Sequence, residues 1–285
     1  MDRYNMDYNI ILGILFINII LHKEQCVAKS SGHAVWEHLF LNNSYNNGVR
    51  PVKQWATPTV AEVGMAVIAL IDFDEVKQTI ILTSKLTLSW KDEYLVWNPH
   101  SFENITHIHV PQSQVWKPFI ILENSVAKYS DMGSPSVQII VHADGNVIWN
   151  PVEIFQYTCT ADVRQFPFDT QTCSMVFETP DFSDELIIRS VKEHIDFHGK
   201  GVFSGWSVME TSMGTETEKG EGTHIICAIT LRRNPTYFIM NVFLPIVILS
   251  FMNICVFVLP VQSGEKASFV ITVFLSLAVF FLTIV

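Results

Sequence analysis

Basic residues are scarce in this chain: 18 Lys and Arg stand against 28 Asp and Glu in 285 residues, for a formal net charge of −10. That balance argues against a nucleic-acid partner, which would call for basic patches. An acidic exported surface would instead raise the local cation concentration modestly, or serve solubility alone. Signs of enzyme chemistry are lacking too. The sequence has no G-x-S-x-G elbow, no Gly-rich phosphate loop and no spaced carboxylate pair of catalytic character. It reads as no enzyme and as needing no cofactor. Its ten histidines are scattered. "HIH" at 107–109 sets two imidazoles on one face of a strand, with no third ligand evident nearby, so no metal site is expected.

Cysteines are few, five in all: Cys26, Cys159, Cys173, Cys227 and Cys255. Cys159 and Cys173 bracket thirteen residues in "CTADVRQFPFDTQTC". That gap suits neither a zinc knuckle nor a redox pair, which favour two to four residues between thiols. A covalently closed loop is the better reading, with Cys159 paired to Cys173 in an oxidising compartment.

What the chain does have is apolar sequence, unevenly spread. "IILGILFINIIL" at 10–21, followed by a polar stretch, is short for a bilayer and reads as a secretory signal over residues 1–27, cleaved somewhere in 22–30. Sequons at Asn42 and Asn104 fit an exported face and are expected glycosylation sites. A helix is expected at about 32–42. From Val60 onward the sequence alternates with a period of two, broken by turns such as "DFDEVKQ" and Asp144-Gly145-Asn146. The expected fold is therefore mainly β: an immunoglobulin-like antiparallel β-sandwich over 28–235, followed by two transmembrane α-helices within 236–285. Residues 237–259 carry no charge across 23 positions, and a second apolar run reaches Val285, so helices are placed at about 237–259 and 265–285. Arg232 and Arg233 precede the first helix while the turn offers only Lys266, so loop charge does not orient the pair. The signal peptide does, placing the sandwich outside the cell.

In combination, these features resemble the Cys-loop pentameric ligand-gated ion channels, nearest the nicotinic acetylcholine receptors. Five markers carry the resemblance in order: the Cys loop with "FPFD", "SWKDEYLVWNP" at 89–99, "VWKPFIIL" at 115–122, "LRRNPTYF" at 231–238, and "SGEKASFVITVFLSLAVFFLTIV" at 263–285. The resemblance implies that the loop tip, Phe166, Pro167 and Phe168, packs over the membrane helices, and it sets these residues and Asp169 among the gating coupling residues. It also implies that Glu75 pairs with Arg233 as a gating coupling element. Closing a loop of this size removes roughly 3 kcal/mol of unfolded-state entropy in the chain-entropy account. Glu265, Ser268, Thr272, Leu275, Val279 and Leu282 recur at steps of three and four, so they share one helix face. Around a five-fold axis they would line a pore, with a carboxylate ring favouring cations and apolar rings gating by dewetting.

The ligand site departs from the family. The family's aromatic box holds a quaternary ammonium on ring faces. This chain has Glu123 where a Tyr is expected, Pro180 where a Trp is expected, and Lys85 where the complementary face carries a Trp. It also lacks the adjacent cysteines flanked by tyrosines in the third loop. The divergent pocket is assigned to Lys85, Glu123, Pro180, Phe182, Thr223 and His224, and acetylcholine is not expected to bind in the usual way. Trp149 and Trp206 are expected to pack in the sandwich instead.

The resemblance further implies a plasma-membrane location, postsynaptic if the role is synaptic. Its partners would be other subunits in a homo- or hetero-pentamer, a small-molecule ligand, permeating cations and the lipid membrane, but no nucleic acid. Alternatives are a sensory channel subunit gated by an apolar, non-acetylcholine ligand, and a non-conducting or soluble binding product. Because relatives continue with further membrane helices, the sequence is expected to be a fragment of a longer chain.

Overall fold

The computed structural model describes residues 31–128, 132–179, 185–197, 202–203, 205–218, 222–258 and 266–284. The expected signal segment lies outside them. The described chain opens with α1 (Ser31–Trp36), which widens into a π turn over Glu37–Asn42 at the expected N-terminal helix. The strands are β1 (Thr59–Asp74), β2 (Thr79–Lys91), β3 (His107–Pro111), β4 (Ile121–Leu122), β5 (Gln138–His142), β6 (Asn146–Trp149) and β7 (Val152–Thr158). They continue with β8 (Thr170–Glu178), β9 (Leu186–Ser190), β10 (Asp196–Phe197), β11 (Val202–Phe203), β12 (Trp206–Glu218) and β13 (Gly222–Arg233). Two helices follow, α2 (Thr236–Cys255) and α3 (Lys266–Ile284).

Residue contacts divide the chain into two units, and both β1 and β2 contribute residues to each. In the first unit β3, β5, β6 and the end of β2 form an antiparallel ladder. Period-two burial turns Val110, Ile139, Val141, Val147 and Leu88 inward, and α1 with its π turn buries Val35 and Leu39. Each such fully buried side chain stabilises the fold by roughly 1.5–3 kcal/mol relative to exposure. Trp149 is buried and its indole N–H donates to Gln112 Oε1 at 2.9 Å, so its polar atom is satisfied inside.

The β5–β6 turn depends on Gly145. Its φ is +86°, a left-handed conformation, and a Cβ there would meet the Asp92 carbonyl at 2.4 Å. Asp92 itself is fully buried at the end of β2, where its carboxylate accepts from the Tyr45 hydroxyl at 2.6 Å and from the N–H groups of Tyr94 and Leu95. Desolvation raises the Asp92 carboxyl above the usual range despite those bonds.

The second unit is the sandwich. One sheet comprises most of β1 and β2, with β7 on β2 and β9 and β10 on β1. The other runs β11-β12-β13-β8-β4. All registers given for these strands are antiparallel except β1 with β10. The inner faces meet closely: Phe155 and Phe177 pack edge to face at 5.4 Å, and Phe73 meets Trp206 at 5.1 Å. A void of only about 10 Å³ remains among Val67, Leu70, Ile80 and Leu82 on one sheet and Val208, Ile229 and Leu231 on the other.

Beyond β13, α2 is long and apolar enough to cross a bilayer, with a mean hydropathy of 2.2. It carries a π stretch at Ile239–Phe243, just before Pro245. Proline has no N–H to offer the previous turn, and a widened turn is one way a helix absorbs that loss. α3 contacts α2, and Phe269, Val273, Leu277 and Phe280 are half-buried along one stripe of it.

Candidate functional site

Two groups of residues in the second unit merit a chemical reading. The first is at the end of β13. Arg233 Nε donates to Asp169 Oδ1 at 2.7 Å, Nη2 donates to Asp169 Oδ2 at 3.1 Å, and Nη2 also donates to Glu75 Oε1 at 2.6 Å. Its guanidinium lies over Trp206 at 4.3 Å and over Phe166 at 4.9 Å, within cation–π range of both. Asp169 is 1% exposed, and Gln171 Nε2 also donates to it at 2.6 Å. Burial works to raise the Asp169 carboxyl, yet the hydrogen bonds from Arg233 and Gln171 outweigh it and hold that carboxyl below the usual range.

The loop that supplies Asp169 is closed by the Cys159–Cys173 disulfide. Its Phe166–Pro167 peptide is cis. Phe166 meets Phe238 of α2 edge to face at 4.7 Å, while Phe168 is exposed. The sandwich therefore touches the start of α2 through an aromatic tip, and the arginine beneath that tip ties it to the β1–β2 turn. The Glu75–Arg233 pair and Phe166 were legible before the structure, whereas Phe168, expected against the helices, is exposed. The double engagement of Arg233 was not legible: the resemblance sets Asp169 among the coupling residues, but that it is the buried partner of Arg233 emerges only from the fold.

The second group sits at the other end of β13. β4 pairs with β8 so that Ile121 faces Glu178, and the Glu123 N–H donates to Val176 O at 2.8 Å. β13 pairs with β8 on its other side through Ile225 and Phe177, and His224 and Glu178 lie one residue beyond that pair on their strands. Phe177, Ile225 and Leu122 are buried toward the core. By the alternation of strands, their neighbours Glu178, His224 and Glu123 emerge on the opposite face. There one ligand atom from each lies within 4.8 Å of the others. His224 Nδ1 is 3.8 Å from Glu178 Oε2, and its Nε2 is buried without a hydrogen-bond partner. Two carboxylates this close repel by about 1 kcal/mol even in water, and by several times that near a protein surface. The site is built to attract positive charge, and its one ring is the His224 imidazole, with no Trp, Tyr or Phe among the three.

Other expected pocket residues are placed differently. Lys85 is in the other sheet, paired with Val152 on β7 and half-buried. Thr223 is buried, and its hydroxyl accepts from the Ile188 N–H at 2.9 Å. Pro180, Phe182 and Glu265 lie outside the described residues. On α3, Ser268, Thr272, Leu275, Val279 and Leu282 are all exposed on one face, whose centre is about a third of a turn from that of the half-buried stripe. The Thr272 hydroxyl donates back to Ser268 O at 2.8 Å. Asn42 and Asn104 are both exposed. In the first unit the reading of "HIH" needs correction: the pairing of β3 with β5 sets His142 opposite His107, with ring centroids 5.8 Å apart, while His109 is 5.7 Å from His107. A third imidazole is therefore present, brought in by a cross-strand contact that local spacing does not reveal.

These features define a ligand-binding sandwich joined to a membrane helix. Comparison with known proteins agrees: residues 33–235 match the neurotransmitter-gated ion-channel ligand binding domain. The chain belongs to the neurotransmitter-gated ion-channel family, whose members are channels and not enzymes. It is similar to the acetylcholine receptor subunit alpha-1-B of Xenopus laevis, 35% identical over 254 residues that cover 87% of this chain and 55% of that protein. It is also similar to the neuronal acetylcholine receptor subunit alpha-2 of Gallus gallus, 32% identical over 256 residues, 88% of this chain and 48% of that one. The acetylcholine receptor subunit beta-like 1 of Drosophila melanogaster is 31% identical over 252 residues, 86% of this chain and 48% of that one. The chain spans about half the length of the curated relatives it matches.

Proposed function

We propose that this chain is a subunit of a pentameric, extracellular ligand-gated cation channel of the plasma membrane, with a ligand site that is not built for acetylcholine. Ligand captured at the sandwich shifts β13, and Arg233 passes that shift to Phe166 and so to α2. α3 then lines the ion path with Ser268, Thr272, Leu275, Val279 and Leu282, on the extracellular side of the carboxylate expected at Glu265. Carboxylate and hydroxyl rings favour cations, and the apolar levels gate by dewetting. The observation that carries the reading is the contact chain Glu75–Arg233–Phe166–Phe238, which links the sandwich to the membrane helix. Arg233 is held by one carboxylate that is nearly inaccessible and another that is 30% exposed, so the Glu75 contact is the one that can be exchanged during gating while Asp169 keeps the guanidinium in place.

A second reading, a sensory subunit answering a ligand other than acetylcholine, is favoured by the Glu123–Glu178–His224 cluster standing where an aromatic box is expected. The test of both is electrical. The transcript carrying this chain is expressed in oocytes, alone and with acetylcholine receptor subunits, with Ser268→Cys and Thr272→Cys variants beside the parent. Evoked cation currents that a charged thiol reagent blocks only in the variants support the reading. Currents indifferent to the reagent in both variants overturn the pore assignment. Large acetylcholine currents from the chain alone overturn the assignment of the ligand site.

A further inference from the structure

We infer that Glu123, Glu178 and His224 form a binding site for a borderline divalent cation, of which Zn²⁺ is the reference ion. The inference deepens the reading above, and rests on it for the site's part in gating; the binding itself rests on geometry. Three ligand atoms of the types that zinc takes, two carboxylate oxygens and an imidazole nitrogen, converge within 4.8 Å. Zinc bonds of about 2.0–2.2 Å place neighbouring ligands about 3.3 Å apart, so the cluster needs to close by roughly an ångström. The exposed Glu123 side chain can supply that movement by rotation, while β8 and β13 hold the other two at fixed register.

Three further observations favour a cation here. The imidazole is 15% exposed and its 3.8 Å approach to Glu178 is too long for a hydrogen bond, so its Nδ1 is left to face a carboxylate without bonding it. Its Nε2 finds no partner either, so nothing within the described fold occupies this ring. Glu216 on β12 is directly opposite His224 in register, adding negative charge to the same face of the sheet. A nitrogen ligand favours zinc, nickel or copper over calcium and magnesium, which take oxygen. A bound ion would pin β4, β8 and β13 together, and β13 ends nine residues later at Arg233, about 30 Å along the strand. The site would thus clamp one end of the element whose other end holds the coupling arginine.

The test is zinc binding to the detergent-solubilised full chain, by calorimetry, with Co²⁺ substituted for its visible absorption. Glu123→Gln and His224→Gln are compared with the parent and with His109→Ala, which alters the separate imidazole cluster. Circular dichroism and the intact Cys159–Cys173 disulfide check folding, and Glu123→Gln, at an exposed position, keeps the test valid if His224→Gln misfolds. The inference expects one saturable equivalent of zinc, a Co²⁺ spectrum of nitrogen and oxygen ligation, affinity lowered at least about ten-fold in either site variant, and no change in His109→Ala. No saturable binding, equal affinity in Glu123→Gln, or loss in His109→Ala overturns it. Zinc binding by a chain that gives no evoked current leaves this inference standing and removes the channel reading. Evoked currents from a chain that binds no zinc do the reverse.

Discussion

Replacing Arg233 by Met puts the junction between sandwich and membrane helix to a quantitative test. Methionine keeps most of the apolar stem and removes the charge that serves Asp169, Glu75, Phe166 and Trp206 together. The largest loss falls on Asp169, which is 1% exposed and would be left as a buried charge with Gln171 as its side-chain donor. Removing one partner of such a pair costs about 3–5 kcal/mol. Each lost cation–π contact adds roughly 0.5–1 kcal/mol, and the partly exposed Glu75 pair no more than about 1 kcal/mol. Together these come to about 4–8 kcal/mol, so the Tm should fall by about 8–32 °C at a slope of roughly 2–4 °C per kcal/mol for a chain of this size. The assay is thermal unfolding of the solubilised chain, followed by tryptophan fluorescence, since Trp206 lies against the guanidinium. Adding Asp169→Asn to Arg233→Met should recover at least half the loss, because the orphaned charge goes with it. A Met variant within about 1 kcal/mol of the parent, or a double variant no better than the single, would refute the claim that Asp169 needs this arginine.

Gly145→Ala should lose about 1–3 kcal/mol from its left-handed backbone alone, with a further loss from the clash at the Asp92 carbonyl, read by chemical denaturation. The Asp169 carboxyl is depressed in the fold, so its contribution is complete above the unfolded carboxylate range near pH 4 and disappears as pH falls through its folded value. Asp169→Asn should flatten that acid limb. Asp92 has the opposite sign: its carboxyl is raised by burial, so it favours the folded state increasingly as pH falls from its folded value toward pH 4, and Asp92→Asn should remove that gain. Cys227 is fully buried and its thiol is pushed up to about 12, so it should resist alkylation in the folded chain and react once denatured, as mass spectrometry of the labelled peptide would show.

Much of this architecture was legible because strands announce themselves by alternation. Val110, Ile139 and Val147 could be assigned to a buried face from period alone, and the uncharged run through α2 could be read from hydropathy. The loop tip and the Glu75–Arg233 pair came from resemblance, and the aromatic contact at Phe238 came only with coordinates. The Glu178 carboxylate was missed altogether. It lies two residues before Pro180, the position assigned to the pocket, and its importance depends on β4 and β13 flanking β8, a pairing between segments more than forty residues apart. Thr223 shows the converse. Its hydroxyl accepts from the Ile188 N–H of β9 and the residue is buried, so it does not join the cluster. Alignment by motif locates a residue along the chain, whereas a site is fixed by which faces of which strands meet.

The most direct measurement is equilibrium binding of labelled acetylcholine to membranes carrying the folded, disulfide-intact chain. A site in which Glu123 and Glu178 stand with the His224 imidazole, and in which no Trp or Tyr joins them among the described residues, predicts no saturable binding above that of control membranes. Saturable binding above control membranes would contradict it.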